Sequence, residues 1–204
     1  MHPNQVFHTH SDADNLGFAR DRGFGVLAVA VDGLAELAHV PFVLSDDGKV
    51  ADLHLMRSNP IARALVAPLP ARVAVSGPDS YISPDWYGVE DQVPTWNYVA
   101  VHLTGTLERR PDGELRGVLD RLSEQFEARL VPKEPWLADK VDPGALARMM
   151  RMIVPLRLTV SGVDGTWKLA QNKPDAVRAK AADHVDAYGI GAGVRDLAAL
   201  MRGA

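Results

Sequence analysis

Apolar and polar positions change period several times along the chain, and each change marks an element. Residues 11–22 open on Ser11 or Asp12 as a helix cap and stop at Gly23, which predicts a first helix. An apolar run over 25–31 predicts a buried strand. Asp32-Gly33 is a two-residue hairpin signal, and residues 34–44 predict the returning strand. The turn Ser45-Asp46-Asp47-Gly48 leads into a third strand over 49–56. There Val50, Asp52, His54 and Met56 share one face, and Ala51, Leu53, Leu55 and Arg57 the other.

Further on, Asn59-Pro60 starts a short helix that Pro68 and Pro70 end, and residues 72–77 predict a fourth strand. The segment 76–87, dense in turn residues, reads as a loop. Residues 96–109 alternate as a long fifth strand. Helices are expected over about 113–129 and 143–152, and a sixth strand over about 153–162. Two more helices are expected, one opened by Asn172 and Asp175 and one over about 194–202. Six strands with tight turns predict a small closed antiparallel barrel of the α+β class, because closure removes exposed strand edges. No linker divides the chain. The expectation is one domain over 1–204, with a helical insertion at about 113–152 and C-terminal helices at about 174–202.

Composition narrows the function classes. The chain is 204 residues long, 47% hydrophobic and 24% charged, the balance of a folded protein. Its longest apolar run is too short for a membrane span, and its start lacks the basic and apolar regions of a signal peptide. With no cysteine, neither disulfide nor thiolate chemistry is available, so a cytoplasmic protein without a membrane partner is expected. Net charge is −4, and the arginines are interleaved with acids. With no basic arm or recognition helix, direct DNA binding is disfavoured.

Three segments carry candidate chemistry. In Arg57-Ser58-Asn59-Pro60 a strand gives way to a helix, whose free N–H groups with Arg57 and Ser58 beside them suit a monophosphate. The alternative is a plain strand-to-helix turn. Two clusters, 76–87 with Ser83 and Trp86 and 93–98 with Thr95, Trp96 and Asn97, combine aromatic faces with hydrogen-bonding groups. Such groups suit a flat heteroaromatic ring, or form an ordinary core hinge. In 167–172, Trp167 reads as packing, Lys168 and Gln171 can reach an anion or carbonyl, and Asn172 reads as a helix cap. His39, His54 and His102 lie on three different strands without metal-ligand spacing and read as core or rim residues. No metal site, nucleophile triad or paired-carboxylate motif is present, and no catalytic residue is identified.

The run from Ser76-Gly77-Pro78 through Tyr81-Ile82-Ser83-Pro84-Asp85-Trp86-Tyr87, then Val93-Pro94-Thr95-Trp96-Asn97-Tyr98 with Val101-His102, then Trp167-Lys168-Leu169-Ala170-Gln171-Asn172, resembles the PaiB family. His39-Val40-Pro41 and Ser58-Asn59-Pro60 fit it in the same order, and the likeness spans roughly 4–185. It implies an FMN-binding split barrel, a six-stranded Greek-key barrel with flanking helices, paired as a homodimer with FMN at the subunit interface. The family carries the name of negative transcriptional regulators. By position the resemblance puts Arg57, Ser58 and Asn59 on the phosphate side. Ser83, Trp86, Thr95, Trp96 and Asn97 fall on the ring side, and Lys168 and Gln171 close the site. Lys173 stands where arginine is commoner, and the tail after 185 lies outside the likeness. Three functions follow: a regulatory flavoprotein, a flavin-dependent oxidoreductase of the flavin reductase or pyridoxamine-phosphate-oxidase type, or an interaction module without cofactor.

Overall fold

Helix α1 (Asp12–Arg22) begins in a reciprocal cap: the Asp14 N–H donates to the Ser11 hydroxyl at 3.2 Å, and the Ser11 N–H to the Asp14 carboxylate at 3.0 Å. Gly23, at φ 54°, ends it and turns the chain into β1 (Phe24–Val31). The hairpin at Asp32-Gly33 returns as β2 (Leu34–Leu44), paired in register from Val31↔Leu34 to Phe24↔Pro41. A second turn leads to β3 (Val50–Met56), and Pro60–Ala64 forms the short α2. The chain continues through β4 (Leu69–Ile82), β5 (Thr95–Arg109), α3 (Leu115–Glu127) and α4 (Pro143–Met150). It ends with β6 (Ile153–Lys168), α5 (Asp175–Tyr188) and α6 (Val194–Gly203). This computed structural model describes residues 1–204.

The six strands close in the order β1-β2-β3-β6-β5-β4. Strand β4 lies beside β1 while β1, β2 and β3 follow one another, which is the Greek-key arrangement. Strand β3 closes on β6 with Val50 opposite Thr159 and Met56 opposite Ile153. Alternate residues fill the interior: Leu27 and Val29, Val40 and Phe42, Leu53, Val73 and Val75, Leu103, Leu156 and Leu158. At Gly105 the β6 backbone comes so close that a Cβ would stand 2.0 Å from the Thr159 carbonyl oxygen.

The chain gathers into two compact units. The larger comprises 16–75 and 102–163, the smaller 1–15, 76–101 and 164–204. In the larger unit α3 docks on the barrel with Leu115, Val118 and Leu122 buried. Buried Asp52 lies under it. Its carboxylate accepts Arg157 Nε at 2.7 Å and Nη2 at 2.9 Å, and Arg121 Nη2 at 2.7 Å. Burial opposes the charge, but the two guanidiniums outweigh it and hold the carboxyl below its usual range.

Three elements depart from the expectations. Strand β4 runs through 76–82 rather than ending in a loop, because Asp79 and Tyr81 donate their N–H groups to the carbonyls of Ala192 and Ile190. Strand β6 extends to Lys168, past the expected end at 162. Asn172 does not cap α5: the cap position is Pro174, without a side-chain bond.

Candidate functional site

In the larger unit, a hollow of about 320 Å³ opens over β2, β3 and the start of α2, lined by His39, Pro41, His54, Met56, Asn59 and Ile153. Asn59 caps α2, its amide oxygen accepting the Ile61 N–H at 2.9 Å. Helix α2 is only five residues long and spends that N–H on its own cap, so little of the anticipated phosphate cradle is left to the helix. Arg57 is held by three bonds: Nε to the Arg151 carbonyl at 3.0 Å, and Nη2 to Asp112 at 3.0 Å and to the Ile153 carbonyl at 3.1 Å. Its Nη1 takes part in none of them. Ser58 is exposed beside it.

In the smaller unit, a cavity of about 290 Å³ collects Thr95, Asn97, Lys168 and Lys173 against Phe7 and Tyr87. This lies at the lower edge of the range of small-molecule pockets. Lys168 Nζ donates to the Thr95 hydroxyl and lies 5.9 Å from the Phe7 ring. Burial lowers its pKa. Lys173 Nζ donates to Gln92 and lies 5.3 Å from the Tyr87 ring. No carboxylate pairs with either ammonium. Asn97 is 1% exposed and its Nδ2 meets only the Met201 sulfur, at 3.6 Å. Its Oδ1 is buried with no hydrogen-bond partner. An orphaned acceptor costs about 1–3 kcal/mol, so a residue of this kind in a cavity wall points to a ligand.

The remaining site candidates of the smaller unit have local roles. Gln171 accepts the Leu169 N–H at 2.8 Å and donates to the Trp167 carbonyl at 2.6 Å. It thereby braces the turn in which Ala170 sits at φ 63°. Ser83 precedes the 3₁₀ turn Pro84–Tyr87 without a side-chain cap bond. Trp86 stacks on His184 at 5.9 Å, and Trp96 meets Tyr81 edge-on at 6.4 Å. Trp167 is a packing residue, stacked on His10 at 4.1 Å with its Nε1 donating to Asn15 at 2.8 Å.

The structure thus brings Thr95, Asn97 and Lys168 into one cavity and leaves Trp86, Trp96 and Gln171 outside its lining. Arg57, Ser58 and Asn59 belong to the other unit. The sequence did not single out Phe7, marked Lys173 only as a departure from the family pattern, and gave His54 as a core or rim residue. One signal was legible: Asn97 begins the inward series Val99, Val101, Leu103, and a polar residue at a core position asks for a partner.

Residues 1–162 match the family model described as "Putative FMN-binding domain". The protease synthase and sporulation protein PAI 2 of Bacillus subtilis is 32% identical over 175 residues, which cover 85% of this chain and 83% of that protein. Two solved structures share the fold. The FAD and heme binding protein from Mycobacterium smegmatis has a TM-score of 0.57 at 19% identity, covering 89% of this chain and 80% of that one. A conserved hypothetical protein from Mycobacterium tuberculosis has a TM-score of 0.58 at 15% identity, covering 85% and 94%. At such identities they carry the split-barrel architecture alone. The curated relative and the matched model together carry the descent: the chain belongs to the PaiB family of FMN-binding-domain proteins.

Proposed function

We propose that this protein is a homodimeric FMN-binding flavoprotein whose regulatory effect, of the kind its family name describes, is exerted without direct operator binding. The Asn97 oxygen carries the flavin reading. A flavin ring edge presents an N–H between carbonyls, so it offers a donor to the orphaned Asn97 acceptor and acceptors to the Lys168 ammonium. The residues fit the group. Thr95 and Lys173 flank the same cavity, and Gln171 positions Lys168 through the Ala170 turn. Ser83, Trp86 and Trp96, which the family likeness puts on the ring side, do not line this cavity. On the phosphate side, Arg57 is braced with Nη1 uncommitted, next to the Ser58 hydroxyl and Asn59.

Bound FMN supplies hydride or single-electron transfer. The chain's own residues bind and orient the ring and keep the Lys168 side of the cavity partly dry. A flavin-dependent oxidoreductase is the second reading, favoured by the hollow beside His39 and His54 in the larger unit.

Dimer formation is supported by the outer face of β1 and β2. Phe24, Val26, Ala28, Leu37 and Pro41 lie there in register, and Phe24 and Leu37 are 44% and 59% exposed. Several arginines are already spent on acids, which weakens a DNA-binding reading. Arg109 pairs with Asp112, Arg110 with Glu108 and Glu114, Arg116 with Asp120, and Arg202 with Asp183 and Asp186. The test is titration of flavin-free protein with FMN, followed by quenching of flavin fluorescence. Saturable binding of one FMN per chain is expected, and absence of saturation at micromolar protein would remove the flavin reading.

A further inference from the structure

A cavity of about 380 Å³ in the larger unit lies between the barrel and the helical insertion, sharing Pro41 and His54 with the hollow beside Asn59 but without residues 57–59 in its own lining. Its walls are Pro41 and His54 on the barrel side, and Leu119, Phe126, Trp136 and Leu146 on the insertion. Part of its polar rim is already committed. Arg116 Nε meets both Asp120 oxygens at 2.8 Å, and Glu127 accepts the Trp136 N–H at 2.8 Å, which pins the indole-bearing backbone in place.

His54 on the barrel side is not committed, and the Ser123 hydroxyl stands on the insertion side. His54 stands on β3 on the same outward face as Asp52, but while Asp52 is met by two arginines, the His54 Nδ1 is buried with no partner. Burial lowers its pKa and so favours the neutral ring. A sealed nitrogen without an acceptor is better left as a bare lone pair than as an orphaned N–H, which places the proton on Nε2. A largely apolar, aromatic-walled cavity then has an uncommitted imidazole donor on its barrel side, the kind of placed polar group by which small-molecule pockets fix orientation.

We propose that this cavity is a second small-molecule site, which takes a planar fused-ring aromatic carbonyl compound whose oxygen accepts a hydrogen bond from His54. The ring system lies against Phe126, Trp136 and the leucines. The site is independent of the flavin reading, since the binding of such a compound requires neither FMN nor a reductant.

Equilibrium dialysis of the full chain against 2-acetonaphthone and its hydrocarbon analogue 2-ethylnaphthalene tests it, with and without FMN. Both compounds bind the unaltered protein. In His54→Leu the ratio of ketone to hydrocarbon affinity falls about tenfold, the worth of one desolvated hydrogen bond, while the hydrocarbon still binds. Leu119→Trp, which fills the cavity, abolishes both, and its far-ultraviolet circular dichroism and thermal unfolding show whether the fold survives. If Leu119→Trp does not fold, Leu146→Trp replaces it on the facing helix. An unchanged ratio in His54→Leu, failure of either compound to bind the unaltered protein, or binding that persists in the filled variant would overturn the proposal.

Discussion

Replacing Asn97 by leucine separates the cost of an orphaned group from its use. The two side chains are of similar size, so the β5 packing is largely kept. The variant loses the Nδ2 contact to the Met201 sulfur, a weak acceptor at 3.6 Å, and removes a buried Oδ1 that has no partner. An unpaired buried acceptor costs about 1–3 kcal/mol and the sulfur contact returns less, so flavin-free Asn97→Leu is expected to be about 1 kcal/mol more stable. For a chain of this length that is a rise in Tm of about 2–4 °C. FMN binding is expected to move in the opposite direction, weakening about tenfold with the loss of one hydrogen bond. Urea unfolding of the flavin-free protein gives the first quantity and fluorescence titration with FMN the second. A variant that is destabilised and binds FMN unchanged would show that the Asn97 amide serves the fold alone.

Asp52→Ala is expected to cost about 3 kcal/mol in urea unfolding at pH 7, because it strands Arg157 and Arg121 beside buried surface. The partial exposure of both guanidiniums keeps the loss at the low end for a broken buried pair. The folded-state pKa of Asp52 is lowered, so its stabilisation is complete above the unfolded value near 4 and is lost as pH falls further. The gap between unaltered protein and variant should therefore close in acid, and a gap that stays constant to about pH 2 would refute that origin. Arg57→Ala should weaken FMN about tenfold to a hundredfold and leave riboflavin, which lacks the phosphate, nearly unchanged. Equal losses for both ligands would move the phosphate to Lys168. Light scattering should give twice the chain mass at micromolar concentration, and Leu37→Asp should halve it. A monomeric unaltered protein would rule out the β1–β2 face as an interface.

Much of the barrel was legible because its signals are local. Asp32-Gly33 and Ser45–Gly48 specify two turns, and apolar alternation marks the strands between them. The continuation of β4 through Gly77-Pro78 was not legible, since what makes it a strand is the backbone of residues 190–192, over a hundred positions away. The same distance limit applies at the site. Lys168 and Thr95 were readable as polar residues in aromatic surroundings, but their bond to one another was not. Arg57 is the reverse case. Sequence placed it beside a helix start, and only the fold shows that Asp112 and two carbonyls already hold it.

The pairing of β3 with β6 has a consequence for biosynthesis. Val50 waits for Thr159, and no neighbour can close that side of the barrel until the ribosome has made the segment that contains it. In the interval β4 and β5 have already joined on the β1 side, and the five-stranded sheet has open edges at β3 and β5. Nascent chains stalled between α3 and β6 should therefore be the species most dependent on chaperones. Yield from rapid expression should improve when translation is slowed or cooled.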